Sequence, residues 1–273
     1  MDSLIEQAAA DLLKSKHAIA LTGAGMSTES GIPDFRGPDG IWTKNPEAER
    51  KAYETYHNFL RDPKAYWQDV LSGRSMLGDL TAARPNPGHS ALFELENIGL
   101  LKAVLTQNID GLHVKAGNKR VLEYHGSVLK LRCPSCGTRY ERTDYDLQSL
   151  MQEDKLPPRC NKCNSPIKAD VVYFNEPIPA DVAEESLKEA WRCDLMLICG
   201  TSAVVYPFAQ LPRIARHRRS EEGLGVEAST TIIEVNAEPT PLTAEGISDY
   251  LIQGRTAEVL PQIVDAVKKL ASR

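Results

Sequence analysis

Four cysteines form two C-x-x-C pairs, Cys133 with Cys136 and Cys160 with Cys163. Four thiolates in two short turns are typical of a closed, tetrahedral structural zinc site. Four cysteine ligands leave no coordination position for a substrate, so the predicted metal is one structural zinc ion and not a catalytic one. The chemical alternative is a redox dithiol pair, which a metal assay distinguishes from zinc.

A glycine-rich stretch, LTGAGMSTESGIPDFRG at residues 21–37, follows an apolar run. Gly23 and Gly25 allow the backbone to turn tightly and to approach a pyrophosphate, whose charge is met by N–H groups at a helix start. The usual third glycine position holds Thr28, and no second strand follows to supply an acid about 20 residues further on. The stretch therefore predicts phosphate binding, but it argues against an ordinary NAD oxidoreductase.

Short apolar runs and helical patterns predict the elements that position these residues. The predicted strands are 17–22, 102–108, 120–126, 169–174, 195–201, 231–236 and 249–254. The predicted helices are 3–15, 87–97, 180–191, 208–217 and 256–271. Apolar strands that alternate with helices indicate a parallel sheet buried on both faces. The predicted fold class is α/β, a doubly wound, Rossmann-like parallel sheet whose ligands lie beyond the carboxyl ends of the strands.

Two stretches interrupt the alternation. Residues 39–84 are polar and aromatic with helix-like pieces, and residues 132–167 hold the cysteine pairs. We therefore expect a Rossmann-like domain made of residues 1–38, 85–131 and 168–273. The helical insertion 39–84 and the four-cysteine module 132–167 are expected to form a smaller lobe. The segment Ser220–Ser229 is interpreted as a flexible polar loop.

The bulk composition limits the class of function. The chain has 273 residues, 42% of them hydrophobic, and a net charge of -5. That charge argues against binding nucleic acid by neutralising its phosphates, and the basic run Arg213–Arg219 is interpreted as a solvated helix face. No apolar stretch approaches the roughly 20 residues that a membrane-spanning helix needs, so we expect a soluble, cytoplasmic protein with no membrane partner. Cys193 and Cys199 are predicted to pack in the core.

The stretch GAGMSTESGIPDFRG resembles the signature of the sirtuins, which are NAD-dependent protein deacylases. Three further segments match that family in order: TQNIDGLH at 106–113, HGS at 125–127 and GTS at 200–202. The four cysteines also lie where the family places its zinc ribbon. The resemblance covers essentially the whole chain and suggests a compact, prokaryotic-type member whose larger domain binds NAD.

The resemblance implies a reaction in which NAD is consumed. The acyl-lysine carbonyl oxygen attacks the nicotinamide ribose, nicotinamide leaves, and the acyl group, most simply acetyl, ends on ADP-ribose. His125 is the expected base that activates a ribose hydroxyl, since an imidazole titrates near neutral pH. Asn108 is expected to order the ribose and a water, while Asp110 and the Ile109 backbone contact the carboxamide.

Phe35 resembles the gate that shields the reacting carbon, with Asp34 and Arg36 fixing its loop and the ribose side. The residues that the resemblance assigns to NAD are Gly23, Ala24, Gly25, Ser27, Asp34, Phe35, Arg36, Gln107, Asn108, Ile109, Asp110, Gly200, Thr201, Ser202, Asn236, Glu238, Gly254 and Arg255.

Residues 171–176 match the family's V-x-x-F-G-E segment, which implies that acyl-lysine proteins or peptides bind between the lobes as an added strand. The expected substrate-binding residues are Val171, Val172, Phe174, Asn175 and Glu176. Asn175 replaces the family glycine. Asn tolerates a positive φ best after Gly, so the bend is expected to survive, while its effect on peptide affinity stays open.

Sirtuins that favour succinyl or malonyl groups carry a Tyr-x-x-Arg pair in the helical insertion. Alignment through Asp62 and Pro63 places Val70 and Gly73 there, which predicts acetyl or longer apolar acyl groups over acidic ones. Arg74 is one residue out of register, so a shift of one position would reverse this prediction.

Two other functions compete with deacylation. A protein ADP-ribosyltransferase would use the same NAD pocket, but His125 together with Asn108 favours deacylation, because that route needs the base on the ribose. An NAD sensor with a vestigial pocket is disfavoured by the presence of Asp34, Arg36 and Asp110.

Overall fold

The computed structural model describes residues 2–37, 40–73, 80, 82–217 and 230–272. Arg74, the segment Ser220–Ser229 and the end of the basic run, Arg218 and Arg219, lie outside the described residues.

A six-stranded parallel sheet forms the larger lobe. Its strands are β1 (Ala18–Thr22), β2 (Leu101–Thr106), β3 (Val121–Glu123), β7 (Leu195–Cys199), β8 (Thr231–Asn236) and β9 (Tyr250–Gln253), in the order β3-β2-β1-β7-β8-β9. Successive strands run outward from β1 on one side and from β7 on the other, so the strand order reverses between these two neighbours. Ligands of open α/β sheets bind at such a switch point.

Both faces of this sheet are covered by helices. On one face, α1 (Asp2–Lys14), α5 (Pro87–Asn97) and α11 (Thr256–Ala271) pack against Ala18 and Ala20. On the other, α8 (Ala180–Arg192) and α9 (Gln210–His217) pack against Ile19 and Leu21. Alternate residues of one strand thus enter opposite cores, which confirms the predicted doubly wound fold. Cys193 and Cys199 are fully buried in these cores, as predicted.

The prediction of residues 169–174 as a strand of the parallel sheet is wrong. A separate antiparallel sheet contains β4 (Gly126–Arg132), β5 (Arg139–Glu141) and β6 (Lys168–Val171), in the order β5-β4-β6. The predicted strand 120–126 is also wrong, because it divides into β3 and the start of β4. Gly126 marks the division: its φ is 76°, and a Cβ there would lie 1.6 Å from the carbonyl oxygen of Asp170. Only glycine permits the chain to turn here into the second sheet.

The smaller lobe has a core of its own. Its helices are α2 (Ile41–Lys44), α3 (Pro46–Arg61), α4 (Pro63–Leu71) and α7 (Leu147–Gln152). Asn45 and Asp62 cap α3 and α4, each accepting a hydrogen bond from a backbone N–H of the first turn. Trp67 of α4 is fully buried and donates to the Ile167 carbonyl oxygen at 2.7 Å, which joins the helical insertion to the cysteine module.

We infer that the domain boundaries follow the two sheets. β4 and β6 pair with each other and are not part of the parallel sheet, so we place the boundaries expected at 131 and 168 at about residues 125 and 172.

The remaining helices are short: α6 (Leu112–Ala116) and α10 (Pro241–Ala244). None of the described helices is both long and apolar enough to cross a membrane.

Candidate active site

A cleft of about 1650 Å³ lies at the carboxyl ends of the parallel strands and extends to the smaller lobe. The segments that follow β1, β2, β7, β8 and β9 all reach it. Of the residues expected to bind NAD or peptide, all line this cleft except Gly23. His125, between β3 and β4, lines it as well.

The glycine turn after β1 is packed directly against the turn after β7. Gly25 N–H donates to the Gly200 carbonyl oxygen at 2.8 Å, and a Cβ on Gly25 would lie 3.0 Å from that same oxygen. The two turns therefore pack so closely that a side chain at Gly25 or Gly200 would clash with the opposite backbone. The predicted helix start is not an α-helix: Ala24–Met26 and Thr28–Ser30 are single 3-10 turns.

A buried polar cluster joins the glycine turn to the end of β2. Asn108 Nδ2 donates to the Gly23 carbonyl oxygen at 2.9 Å and contacts Ser27 Oγ at 3.0 Å. Ser27 Oγ in turn donates to Asp110 Oδ2 at 2.8 Å, while Asp110 Oδ1 accepts from Leu112 N–H at 2.9 Å. Burial raises the pKa of the Asp110 carboxyl group. The cluster fixes the Asn108 amide in the wall of the cleft.

The His125 imidazole is oriented by a hydrogen bond to the main chain. Its Nδ1 lies 3.2 Å from the Gln107 carbonyl oxygen, to which it donates when Nδ1 carries the proton. That tautomer leaves Nε2 unprotonated, as a general base requires. Burial lowers the pKa of His125, so its imidazole stays neutral to a lower pH than that of an ordinary histidine. The predicted strand 120–126 would place His125 near its end. In the structure His125 lies in the turn between β3 and β4.

The loop that carries Phe35 is fixed at both ends. Asp34 Oδ1 accepts from Gly37 N–H at 2.9 Å, and the ring of Phe35 lies 4.6 Å from that of Trp42, centroid to centroid. Arg36 lies over the same indole at 4.5 Å and pairs with Glu49 at 3.2 Å. Its guanidinium is therefore engaged by the helical insertion, and its expected contact with the ribose stays a prediction.

The sequence patterns missed Trp42, which links the loop to the peptide segment. Its ring centroid lies 5.6 Å from that of Phe174, and Phe174 stacks on Tyr53 at 4.1 Å. The signal available was a tryptophan shortly after the glycine-rich stretch, in a region otherwise interpreted as an insertion.

The loops after β7, β8 and β9 form the other end of the cleft. Thr201 Oγ1 accepts from Gln107 Nε2 at 2.9 Å, and Asn236 Nδ2 donates to the Glu238 carbonyl oxygen at 2.7 Å. Gly254 N–H donates to the Asn236 carbonyl oxygen at 3.0 Å. Three residues expected to bind NAD are exposed at this end of the cleft: Ser202, Glu238 and Arg255.

Glu234, inside β8, was also missed. Its fully buried carboxylate accepts hydrogen bonds from Thr240 Oγ1 at 2.5 Å, Thr243 Oγ1 at 2.6 Å and Ser248 Oγ at 2.5 Å. These three hydroxyls satisfy the hydrogen-bonding capacity of a buried carboxyl group, and they tie α10 to the sheet. The clue in the sequence was an acid within the apolar run TIIEVN, followed by hydroxyl residues.

The peptide segment after β6 contains the expected left-handed residue. Asn175 has φ of 65°, which confirms that the bend survives the replacement of glycine. Its side chain lies 3.4 Å from the Tyr53 carbonyl oxygen. The Glu176 carboxylate is buried and already bonded to Arg132 and Lys168 at 2.7 and 3.0 Å. Direct contact of that carboxylate with a peptide stays a prediction.

The four cysteines converge as predicted. Their Sγ atoms lie within 4.8 Å of one another, and the pairs Cys133–Cys163 and Cys136–Cys160 are 3.5 Å apart. Zinc with four Zn–S bonds of about 2.3 Å requires sulfur–sulfur edges of about 3.8 Å, so the donor set fits. Each pair is followed by a residue with positive φ, Gly137 or Asn164, whose N–H bonds back to the first cysteine carbonyl oxygen of its own pair.

Together the fold and the cleft define a two-lobed, nucleotide-binding α/β protein with a four-cysteine metal module. A family model described as Sir2 family matches residues 23–207, and the chain belongs to this family. The NAD-dependent protein deacylase 2 of Archaeoglobus fulgidus is 44% identical over 273 residues, covering 100% of this chain and 99% of that protein.

Two solved structures extend the comparison. A Sir2 homolog–NAD complex is 37% identical with a TM-score of 0.75, covering 99% of this chain and 94% of that chain. Sir2Af2 bound to a myristoylated histone peptide is 38% identical with a TM-score of 0.68, covering 100% and 99%.

Proposed function

We propose that this protein is an NAD-dependent deacylase of protein lysine side chains, with acetyl-lysine as its main substrate. One observation carries the proposal: the half-buried His125 imidazole, whose Nε2 makes no hydrogen bond within the described residues, shares a cleft with the Asn108–Ser27–Asp110 cluster and the paired glycine turns. The family relatives named as deacylases supply the reaction class.

NAD enters the proposal as a substrate. The contact between the turns at Gly25 and Gly200 supports a pyrophosphate site, because backbone approaches the cleft there without side chains. The loops at Asn236 and Gly254 would receive the adenosine half. The solved complex of a Sir2 homolog with NAD supports this assignment.

Each group of residues then has one task. His125 takes a proton from a ribose hydroxyl after nicotinamide has left, and Gln107 keeps its Nε2 available. Asn108 and Asp110 orient the ribose and the carboxamide, held by Ser27. Phe35 excludes water from the reacting carbon, since its loop is clamped by Asp34 and Trp42. One water is consumed after the ribose hydroxyl has attacked the acyl carbon, and the products are nicotinamide, the free lysine and O-acyl-ADP-ribose.

The acyl-lysine peptide binds between the lobes as a strand added beside Val171 and Val172. A main-chain mode tolerates many sequences, which suits an enzyme that acts on several proteins. Zinc held by the four cysteines supplies structure only, because four thiolates complete its coordination. That ion keeps the smaller lobe, and with it the peptide segment, folded.

The acyl group is uncharged in this proposal. Val70 and Gly73 line the cleft, as the alignment places them, and neither can grip a carboxylate. The relative bound to a myristoylated peptide supports longer apolar chains as further substrates. Faster turnover of succinyl than of acetyl peptide would refute this preference and would direct attention to Arg74 and to Arg142, which also lines the cleft.

The decisive experiment follows an acetyl-lysine peptide by mass spectrometry with and without NAD. Deacetylation that depends on NAD, with one O-acetyl-ADP-ribose and one nicotinamide formed per acetyl lost, establishes the function. Release of nicotinamide with the acetyl group intact would refute it and would favour ADP-ribosyl transfer to another acceptor.

A further inference from the structure

A network of buried charges lies directly behind the peptide segment. Lys168 Nζ pairs with Glu176 Oε2 at 3.0 Å, and Arg132 pairs with Glu176 Oε1 at 2.7 Å. The Lys168 side chain has no exposed surface, and the side chains of Glu176 and Arg132 are 2% and 9% exposed. Burial lowers the pKa of Lys168 to about 8, so its ammonium group remains charged at neutral pH.

The same two charges also bind the main chain of the segment. Lys168 Nζ donates to the Val171 carbonyl oxygen at 2.5 Å, and Glu176 Oε2 accepts from Tyr173 N–H at 3.1 Å. Between these two bonds, Val172 N–H donates to the His125 carbonyl oxygen at 2.8 Å. Three consecutive residues of the segment are therefore fixed, two by the ion pair and one by the backbone of the proposed base.

The network continues outward to the surface. Arg132 also pairs with Asp170 at 2.7 Å, and Asp170 pairs with Arg139 at 3.0 Å. Arg139 then reaches Asp181 at 2.7 Å, where the carboxylate is 63% exposed. The inner members are buried and the outermost is solvated, so Asp181 offers a control within the same network.

Buried ion pairs add little net stability, because desolvation cancels much of their attraction. What they do specify is geometry, since removing one partner leaves the other charge unpaired. Here the specified geometry is the path of residues 171–173. Glu176 Oε1 accepts from Arg132, while Oε2 accepts from the Tyr173 N–H, so the carboxylate acts on the path of the segment.

We propose that Lys168 and Glu176 are positioning residues for the acyl-lysine peptide. They hold the main chain at Val171 and Tyr173 so that the segment presents a fixed edge to the incoming strand. This inference rests on the proposed function for the identity of the peptide. It predicts a selective effect on peptide binding, because NAD is assigned to the turns of the parallel sheet, which the ion pair does not contact.

The test uses Lys168→Met, Glu176→Met and the double variant in the zinc-loaded protein, with Asp181→Asn as the matched control. Four quantities are measured for each: the KM and kcat for an acetyl-lysine peptide, its Kd by fluorescence anisotropy, the Kd of NAD, and the melting temperature. Both single variants should raise the peptide KM and Kd about tenfold, which corresponds to the loss of one charged hydrogen bond. The Kd of NAD should stay within twofold of the parent. Asp181→Asn should match the parent in all four.

The double variant separates positioning from general stability. It removes one positive and one negative charge together, so its melting temperature should recover toward that of the parent. Its peptide Kd should stay raised, because both main-chain bonds are still missing. Recovery of the Kd together with the melting temperature would overturn the inference, as would single variants with an unchanged peptide Kd.

Anisotropy keeps this test distinct from that of the proposed function. A parent that binds acetyl-lysine peptide but does not deacetylate it would refute the function, while the variants would still test the positioning role. A parent that deacetylates and whose variants bind normally would refute the positioning role alone. A parent that neither binds nor deacetylates the peptide would refute both.

Discussion

The main-chain N–H of Val172 donates a 2.8 Å hydrogen bond to the carbonyl oxygen of His125. The residue proposed as the base is thus bonded, through its own backbone, to the segment proposed to hold the peptide. This bond extends the pairing of β4 with β6, which begins at Gly126 and Val171. The backbones of the proposed base and of the proposed peptide-binding segment therefore belong to one sheet.

Replacement of His125 by alanine should lower kcat for deacetylation by about 10²- to 10⁴-fold, the usual contribution of a general base. The Kd of NAD should change little, because in the part of the chain that the structure describes the imidazole bonds to the Gln107 carbonyl oxygen and not to the glycine turns. Steady-state kinetics and isothermal titration measure the two quantities. His217→Ala, at the exposed end of α9, is the control, and parental turnover by His125→Ala would exclude the imidazole as the base.

Removal of zinc should unfold the smaller lobe. Structural zinc contributes on the order of 10 kcal/mol to such modules, and the core of this lobe includes Cys133 and Cys160. Chelation or Cys136→Ser should abolish the melting transition of the lobe and reduce the metal content below one ion per chain. Cys193→Ala, in the core of the larger lobe, should keep its zinc. A melting curve that chelation leaves unaltered would argue for the redox alternative.

Asn175→Gly should retain deacetylation with a peptide KM within twofold of the parent, because glycine adopts φ of 65° without strain. Asn175→Val should destabilise the segment by about 1–2 kcal/mol, since a β-branched residue clashes in the left-handed region. Peptide KM and urea unfolding test both variants. Equal behaviour of the glycine and valine variants would show that this bend does not matter for the peptide.

The protein should lose stability as the pH falls from 6.5 to 4. His89 and His113 are buried side by side, with ring centroids 4.8 Å apart. Burial lowers the pKa of His89 to about 4 and that of His113 well below its ordinary value. The unfolded chain binds more protons in this range, so protonation favours unfolding, by roughly 3 kcal/mol for His89.

Urea unfolding at pH 7.5 and 5 measures this loss. His89→Gln, which cannot be protonated, should reduce the pH dependence and leave the part due to His113, whereas His57→Ala on the exposed face of α3 should leave it as in the parent. A parent whose free energy of unfolding is the same at both pH values would contradict the assignment of two neutral histidines.

The sequence by itself determined the class of fold, the zinc module and the family. Apolar strands alternating with helices can be buried only between two helical layers, and paired C-x-x-C turns have few uses other than a metal. The family motifs also named residues that line the cleft, with Gly23 as the one exception among those expected to bind NAD or peptide. Most of the expected NAD-binding residues follow strands of the parallel sheet, and parallel strands end at one edge.

Tertiary structure decided which strands pair and what each polar group does. The run 169–174 is apolar like the strands of the parallel sheet, yet its first residues pair with β4 in a second sheet, where Gly126 packs against Asp170. Lys168 and Glu234 are residue types that usually lie at the surface, yet both are fully buried. Their burial depends on partners distant in the sequence or on a turn that closes only in the folded chain, and no local pattern encodes either.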